Sequence, residues 1–69
     1  METIKIRDDF IKLGQAIKLA GLVDSGVEAK IEIQEGHVKV NGSVELQRGK
    51  KIYPGDMIEF DGQQVKVEN

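Results

Sequence analysis

The sequence of 69 residues contains no cysteine and no tryptophan, and it has one histidine and one proline. Without cysteine there is no disulfide framework, no thiolate metal site and no cysteine nucleophile. A single histidine cannot form a histidine-rich metal site, and no evident pair of carboxylates indicates acid–base catalysis. We therefore expect a protein that is not an enzyme and that uses no metal and no cofactor.

The sequence also lacks a long apolar run, which excludes a membrane-spanning helix. Its first residues, M-E-T-I-K-I-R-D-D, lack the apolar segment of a signal peptide. We therefore expect a soluble cytoplasmic protein with no membrane partner. The length predicts a single domain over residues 1–69 with a thin core, because a chain of this size buries only about 60% of its unfolded surface.

Positive charge is unevenly spread along the chain. The net charge of −2 is a mild argument against nucleic-acid binding, which depends on Lys and Arg. However, residues 36–52 carry four basic side chains against one acidic side chain, whereas residues 53–69 carry one against four. The middle of the chain is its basic part, and this asymmetry matters more than the sum.

The first third of the sequence predicts a strand and a short helix. Residues 3–7 alternate apolar and charged side chains, as in a half-buried strand. Residues 13–20 carry apolar side chains at helical spacing, and Gly21 is suited to end the helix. Residues 10–11 fit either a continued extended segment or the start of this helix.

A second helix is marked by its two ends. Ser25 and Glu28 have the spacing of a capping box, in which each side chain accepts a hydrogen bond from a backbone N–H at the start of the helix. Gly36 can adopt the left-handed conformation that ends a helix. We therefore predict a helix that begins after Ser25 and ends near residue 35.

This second helix carries two apolar stripes and one acidic stripe. Ala29 with Ile33 forms one apolar stripe and Val27 with Ile31 forms the other, so we expect packing against both the first helix and the sheet. The acidic stripe consists of Glu28, Glu32 and Glu35. It could be a metal site or a protein-binding face, but one helix stripe offers no closed ligand set, so a solvated face is favoured.

The second half of the sequence predicts an antiparallel sheet. Strands are expected at residues 37–40, 43–46, 57–60 and 64–67. Asn41-Gly42 and Asp61-Gly62 are typical of tight hairpin turns, Asn41-Gly42 of a type I′ turn with positive φ at both residues. Residues 47–51 form a polar, basic loop, and residues 53–56, Y-P-G-D, predict a type II turn.

The candidate anion contacts are the basic residues of the helices, the sheet edge and the basic loop: Lys12, Lys18, Lys30, Lys39, Arg48, Lys50 and Lys51. Each Lys or Arg that neutralises a phosphate releases counterions. The guanidinium of Arg48 can bind a phosphate through two parallel hydrogen bonds. Charge pattern alone favours an ordinary solvated surface, since 32% charged residues is not unusual for a small domain.

Four linked segments carry a family resemblance: K-L-G-Q-A-I-K-L-A-G, S-G-V-E-A-K-I-E-I, G-H-V-K-V-N-G and Y-P-G-D-M-I. Their order and spacing resemble the S-four-type RNA-binding domain, which is named after the fourth protein of the small ribosomal subunit. The likeness covers residues 12–60. The S-G-x-E-A-K segment after an N-terminal strand is most similar to the small stand-alone YaaA/YbcJ-like bacterial proteins.

The resemblance implies an α+β fold in which two short packed helices lie on a small bent antiparallel sheet. It also implies that RNA lies across the helical pair and the adjoining loop. Lys12 stands where the family often has Arg, and Lys30 stands at a frequently basic position of the second helix. The sequence departs from the pattern at Gly14, Gly26 and Ile31, where Asp, Arg and a polar or basic residue are respectively common.

The aromatic residues and the histidine add no separate signal for RNA contact. Phe10, Tyr53 and Phe60 are scattered along the sequence, so we expect them to pack in or beside the core and to form no stacking platform. His37 could contact a phosphate or stack on a base, but an exposed ring at a strand start is the simpler expectation. Recognition of structured RNA by shape and phosphate fits this composition better than recognition of unstacked bases.

The leading hypothesis is a non-enzymatic, monomeric bacterial protein that binds structured RNA. The distribution of the family implies ribosomal RNA or a ribosome assembly particle as the partner. The alternative is a protein-interaction module that docks through its acidic helix face or its C-terminal hairpin. A third hypothesis is a detached regulatory subunit of an RNA-modifying enzyme. The RNA-binding hypothesis requires the basic residues to lie together on one face, whereas the protein-interaction hypothesis does not.

Overall fold

A computed structural model describes residues 2–69 as two helices, a five-stranded sheet and a two-stranded ribbon. The helices are α1 (Leu13–Leu19) and α2 (Gly26–Gln34). The strands are β1 (Glu2–Lys5), β2 (Ile11–Lys12), β3 (Val38–Val40), β4 (Ser43–Val44), β5 (Lys51–Ile52), β6 (Met57–Phe60) and β7 (Gln63–Glu68). The predicted α+β fold, with two short helices packed on a small sheet, is confirmed. Neither of these helices is long and apolar enough to cross a membrane.

The larger sheet has the strand order β1-β7-β6-β3-β4, and β2 pairs with β5 in the separate ribbon. Neighbours in the larger sheet are antiparallel except β1 and β7, which run parallel. The sheet is therefore mixed, whereas we expected only antiparallel pairs. A parallel pair needs a long crossover connection, and the helices and strands between β1 and β7 supply it.

The predicted turns are confirmed. Asn41-Gly42 and Asp61-Gly62 each have positive φ at both positions, as a type I′ hairpin turn requires. In the type II turn, the N–H of Asp56 donates to the carbonyl of Tyr53 at 2.9 Å, and Gly55 has a φ of 98°. These turns bring β3, β6 and β7 into the register that puts their apolar residues on one face.

The strand predicted over residues 43–46 is shorter in the structure and ends at Val44. The backbone N–H of Gln47 donates to the carboxylate of Glu45 at 3.1 Å, which turns the chain out of the ladder. Leu46 is consequently exposed. The basic loop therefore begins close to the sheet edge and returns toward α1.

One apolar core lies between the helices and one face of the larger sheet. Its buried members are Ile4, Leu13, Ala16, Ile17, Val23, Ala29, Ile33, Val38, Val40, Ile52, Ile58, Val65 and Val67. Burying a Val, Leu or Ile side chain contributes roughly 1.5–3 kcal/mol. This cluster therefore decides which helix faces and strand faces remain outside.

Only one of the two apolar stripes of α2 is buried. Ala29 and Ile33 belong to the core, whereas Val27 and Ile31 are 70% and 48% exposed. The expectation that both stripes pack is therefore wrong. Because α1 and the rest of the core lie on the same side of α2, a single stripe makes both contacts.

Candidate nucleic-acid interface

Three of the predicted basic contacts line one surface depression of about 370 Å³. Lys12 comes from β2, Lys18 from α1 and Arg48 from the loop before β5. The other lining residues are uncharged: Gly14, Gln15, Gly26, Ala29 and Gly49. None of the described lining residues is acidic, so the three positive charges that line this basic depression favour an anion there.

Backbone hydrogen bonds attach the Arg48 loop to the start of α1. The N–H of Leu13 donates to the carbonyl of Lys50, and the N–H of Gly14 donates to the carbonyl of Arg48, each at 2.9 Å. First-turn N–H groups have no acceptor within their own helix, and the side chain of Lys12 has no acceptor to offer. The loop therefore caps α1, and this cap holds Arg48 beside the helix.

Two departures from the family pattern lie in the basic depression. Gly26 is the first residue of α2. Apart from its chain neighbours and the backbone of its own helix, no atom of residues 2–69 lies within 4 Å of the position that a Cβ would take. Gly14 lies in the first turn of α1, where a Cβ would be 3.5 Å from the Cβ of Arg48. The family commonly has Arg at the position of Gly26 and Asp at the position of Gly14. In this chain both positions are glycine, so this part of the depression carries neither charge.

The start of α2 is capped, although only half of the predicted capping box forms. The Ser25 hydroxyl accepts a hydrogen bond from the N–H of Glu28 at 3.1 Å, as predicted. The Glu28 carboxylate accepts from the N–H of Asp24 at 2.7 Å and not from that of Ser25. This carboxylate is therefore held by the turn before the helix.

Three more predicted contacts lie around the basic depression. Lys30 lies one helical turn after Gly26 on the same side of α2. Lys50 belongs to the loop that caps α1, and Lys51 lies directly opposite Lys12 in the β2–β5 ribbon. All three side chains are exposed. They add positive charge next to the elements that line the depression.

Lys39 lies on a different surface of the molecule. Its neighbours Val38 and Val40 point into the core, so Lys39 points away from the helices. It lies opposite Glu59 of β6, which supplies a nearby negative charge. The structure therefore separates Lys39 from the residues that line the depression.

Within residues 2–69, no basic side chain of Lys or Arg forms an ion pair with a carboxylate. Among residues 2–69, the side-chain ion pairs within 4.0 Å are those of His37 with Glu32 and Glu35. All ten Lys and Arg side chains lie in this part of the chain, and none has a carboxylate within that distance. These cations are therefore free to neutralise an external anion.

His37 is exposed, as expected, and its ring is bonded to the acidic stripe of α2. Nδ1 lies 2.6 Å from a carboxylate oxygen of Glu32 and 4.0 Å from one of Glu35. The hydrogen bond to Glu32 is the main cause that raises the pKa of His37 above 6.5. Desolvation opposes it, and the charges of both carboxylates reinforce it. The donor atoms of these three residues lie within 4.8 Å of one another, but the Glu32 contact already occupies Nδ1.

Phe10 and Tyr53 are far apart in the sequence but lie together in the structure. Within the described part of the chain, neither is in the core cluster or packed against it, so the expectation of packing in or beside the core is wrong for these two rings. The ring centroids of Phe10 and Tyr53 are 5.9 Å apart, and their planes are inclined by 50°. The ammonium of Lys51 lies 4.8 Å from the centroid of the Phe10 ring. Sequence patterns missed the pair because β2 and β5, which join it, have only two residues each. Phe60, by contrast, packs against the core as expected.

The paired helices, the mixed sheet and the basic depression define a small α+β domain with one cationic face. The model of the S4 domain family matches residues 4–68, and the chain belongs to this family. The S-four-type resemblance seen in the sequence is thereby confirmed.

Similar proteins of comparable length carry names that refer to RNA or to the ribosome. The chain is 44% identical over 57 residues to "Putative RNA-binding protein YbcJ" of Escherichia coli (strain K12), which covers 83% of this chain and 81% of that protein. It is 42% identical over 59 residues to "Probable ribosome maturation protein RlbA" of Bacillus subtilis (strain 168), which covers 86% and 83%. The solution structure of YbcJ from E. coli has a TM-score of 0.77 at 38% identity, covering 100% of this chain and 89% of that one. An αL motif in that protein is described as involved in RNA-binding.

Proposed function

We propose that this chain is a non-catalytic, monomeric RNA-binding protein of the bacterial cytoplasm. Its partner is structured RNA, and in particular ribosomal RNA in an assembling ribosomal particle. The observation that carries the proposal is the convergence of Lys12, Lys18 and Arg48 on one depression whose lining contains no acid. Phosphate contacts of this kind fix the position of an RNA without reading its sequence.

The depression suits the phosphate backbone of RNA because different segments of the protein fix the positions of its positive side chains. Backbone bonds to α1 hold the Arg48 loop, and Lys18 projects from the second turn of the same helix. Gly26 places the start of α2 at the same depression, where the positive end of the helix dipole adds to the attraction for an anion. Lys30, Lys50 and Lys51 extend the contact to neighbouring phosphates.

The names of similar proteins support RNA as the partner. YbcJ is named as an RNA-binding protein and RlbA as a ribosome maturation protein, and both are similar to this chain over more than four fifths of its length. A face built from phosphate contacts fits a folded RNA, whose backbone presents closely spaced charges in a fixed shape. Ribosomal RNA is an RNA of this type.

A salt titration of RNA binding tests the proposal. If about 4–6 phosphates are contacted, log affinity should fall with log salt at a slope near −3 to −5. The decisive variant is K18E/R48E, which reverses two charges in the depression. The matched control is K39E/K66E, which changes the net charge equally on the outward face of the sheet, where Lys66 lies between the buried Val65 and Val67.

We expect K18E/R48E to lose at least about tenfold in affinity and about 2 units of the salt slope, because about two counterion-releasing contacts disappear. K39E/K66E should lose much less. Equal losses in the two variants would show attraction to net charge without a defined face, and would overturn the proposal. Crosslinking and sequencing of bound RNA from cells then tests whether ribosomal RNA is the partner.

A second candidate function is docking on another protein. The exposed stripe of Val27 and Ile31 favours it, since these side chains lie on α2 with large fractions of their surface in solvent. The C-terminal hairpin is less suited to docking by strand addition, because β6 pairs with β3 and β7 pairs with β1. If the affinity for RNA hardly depends on salt and K18E/R48E binds RNA as the wild type does, the basic depression is not an RNA-binding site. That result would favour this second function.

A further inference from the structure

The outer face of the β2–β5 ribbon joins two aromatic rings to two lysines. Antiparallel pairing sets Lys12 opposite Lys51, and on the same side Phe10 comes opposite Tyr53. Side chains alternate along extended chain, so these four share one face, which we call the aromatic face. The isoleucines between them point to the core on the opposite side.

Tyr53 is the open member of the ring pair. It is 47% exposed, whereas Phe10 is half-buried. The Lys51 ammonium, 4.8 Å from the Phe10 centroid, covers part of that ring. Among residues 2–69, neither ring belongs to the core cluster or to the half-buried residues packed on it. The Tyr53 ring thus contacts Phe10 in a tilted arrangement and keeps about half of its surface accessible to solvent.

We propose that the aromatic face binds an unpaired nucleotide of the RNA, with its base stacked on Tyr53. This inference rests on the proposed RNA-binding function and extends it from phosphates to bases. Every base has a π face, so stacking on an aromatic side chain tolerates any sequence. Lys51 and Lys12 lie beside the rings and neutralise the phosphates on either side of the stacked base.

The two lysines beside the rings favour a nucleotide over an apolar protein partner, and the nearby Asp56 carboxylate is already bonded to the backbone N–H of Tyr53 at 2.8 Å. Lys12 belongs to both surfaces, since it lines the basic depression and flanks the aromatic face. A strand whose phosphates lie in the depression therefore passes Lys12 to reach Tyr53. The class of RNA that uses both surfaces is a folded segment with unpaired nucleotides next to its helical part.

Matched RNA hairpins test the inference directly. The first has a blunt end, the second carries a short single-stranded adenosine tail, and the third carries a tail of abasic nucleotides with the same number of phosphates. The adenosine tail should raise the affinity of the wild-type protein about tenfold, as expected for loss or gain of one stacked base. The abasic tail should raise it only slightly, because it offers charge without a base.

Tyrosine fluorescence gives a readout that needs no variant. Tyr53 is the single tyrosine and the chain has no tryptophan, so the emission reports on this ring alone. Stacking of a base on the ring should quench the emission with the adenosine tail. The abasic tail and the blunt hairpin should leave it close to the emission of the free protein.

Two substitutions separate the ring from its hydroxyl group. Tyr53→Phe keeps the aromatic face and should retain the advantage of the adenosine tail. Tyr53→Leu keeps an apolar side chain without a π face and should lose that advantage, about tenfold. Both variants should bind the blunt hairpin as the wild type does, which also shows that they are folded.

The outcomes distinguish this inference from the proposed function. If the blunt hairpin binds with a steep salt slope but the adenosine tail gives no gain and no quenching, the inference fails and the proposed function stands. An equal gain from the abasic tail, or a gain that persists in Tyr53→Leu, also overturns the inference. If no hairpin binds at low salt, the proposed function fails and the inference fails with it.

Discussion

Lys12 and Lys51 lie directly opposite each other across the β2–β5 ribbon. Like charges at directly opposed positions destabilise a strand pair. Neither ammonium has a carboxylate within 4.0 Å among residues 2–69 to offset this repulsion. A phosphate placed between the two side chains would remove the repulsion, so the pair costs stability in the free protein and favours the bound state.

The first prediction follows from this pair. Lys12→Gln removes the repulsion, so the free energy of unfolding should stay the same or rise by about 0.2–1 kcal/mol. RNA affinity should fall, and the salt slope should lose about 0.9 units, because one phosphate contact is lost. Urea unfolding and a binding titration measure the two quantities. Lys66→Gln is the control, since Lys66 lies opposite Thr3 and Met57 and not another lysine.

If Lys12→Gln keeps or raises the free energy of unfolding and lowers the RNA affinity, the function of Lys12 is to bind RNA and not to stabilise the fold. A loss of stability in Lys12→Gln comparable to its loss of affinity would instead assign Lys12 a structural role. The control should change neither quantity by much.

The second prediction concerns Gly26, where the family commonly has Arg. Gly26→Arg adds a cation at the basic depression, where the described residues beyond the adjoining backbone leave open space around the new Cβ. RNA affinity should rise, and the salt slope should steepen by about 0.9 units. The stability should change little, because the loss of glycine's backbone freedom in the unfolded chain favours the variant, while a cation at a helix N-terminus costs about 0.3–1 kcal/mol.

Gly26→Ala is the matched control, because it makes the same backbone change without the charge. It should leave the salt slope unaltered. An unchanged slope in Gly26→Arg as well would mean that RNA does not reach the start of α2.

The third prediction concerns the pH dependence of His37. Because the bond to Glu32 raises the pKa of His37 above 6.5, its ring should titrate above that value in the folded protein. The protonated ring stabilises the fold fully below pH 6.5, and this contribution is lost as the pH rises through the folded-state pKa. A titration of the ring protons by NMR, with thermal unfolding at each pH, measures both effects.

Glu32→Gln should lower the pKa of His37 toward its ordinary value and flatten the pH dependence of unfolding. Glu35→Gln is the comparison, and it should lower the pKa less, because that carboxylate lies 4.0 Å away and makes no hydrogen bond to the ring. Equal effects of the two substitutions would contradict the assignment of the hydrogen bond as the main cause.

The fourth prediction concerns Asn41, which ties two turns together. Its amide donates to the Asp56 carboxylate at 3.0 Å, and its side-chain oxygen accepts from the N–H of Met57 at 2.9 Å. Asn41→Gly keeps the positive φ of the turn but loses both bonds, which should cost about 1 kcal/mol in this exposed setting. Asn41→Ala loses the bonds and also places a Cβ in the left-handed region, so it should cost about 1–2 kcal/mol more. Urea unfolding compares the two, and equal costs would mean that backbone conformation adds nothing.

Local chemistry made the helices and turns predictable. Ser25 caps α2, Gly36 ends it with a φ of 82°, and Asn41-Gly42 forms the hairpin turn, each as its residue type indicates. These features depend on interactions within a few residues of chain, so their residues suffice to predict them. The family resemblance likewise rests on such segments in a fixed order.

Non-local packing decided the features that were missed. The β2–β5 ribbon pairs residues about forty positions apart through strands of two residues each, too short for a periodic pattern. Its formation brings Phe10 to Tyr53 and sets Lys12 against Lys51. The burial of α2 was missed for the same reason: both apolar stripes were expected to pack, and contact with α1 and the core buries only the stripe of Ala29 and Ile33.

The sequence by itself determined the α+β class, the turns, the bounds of both helices and the pool of basic residues. Only the tertiary structure decided which of those residues act together: Lys12, Lys18 and Arg48 meet in the basic depression, and Lys39 lies apart. Short-range hydrogen bonds and backbone preferences depend on residues that are close together in the sequence, so the sequence alone is enough to predict them. The grouping of charges depends on which faces the core buries, and that is settled by contacts between segments distant in the chain.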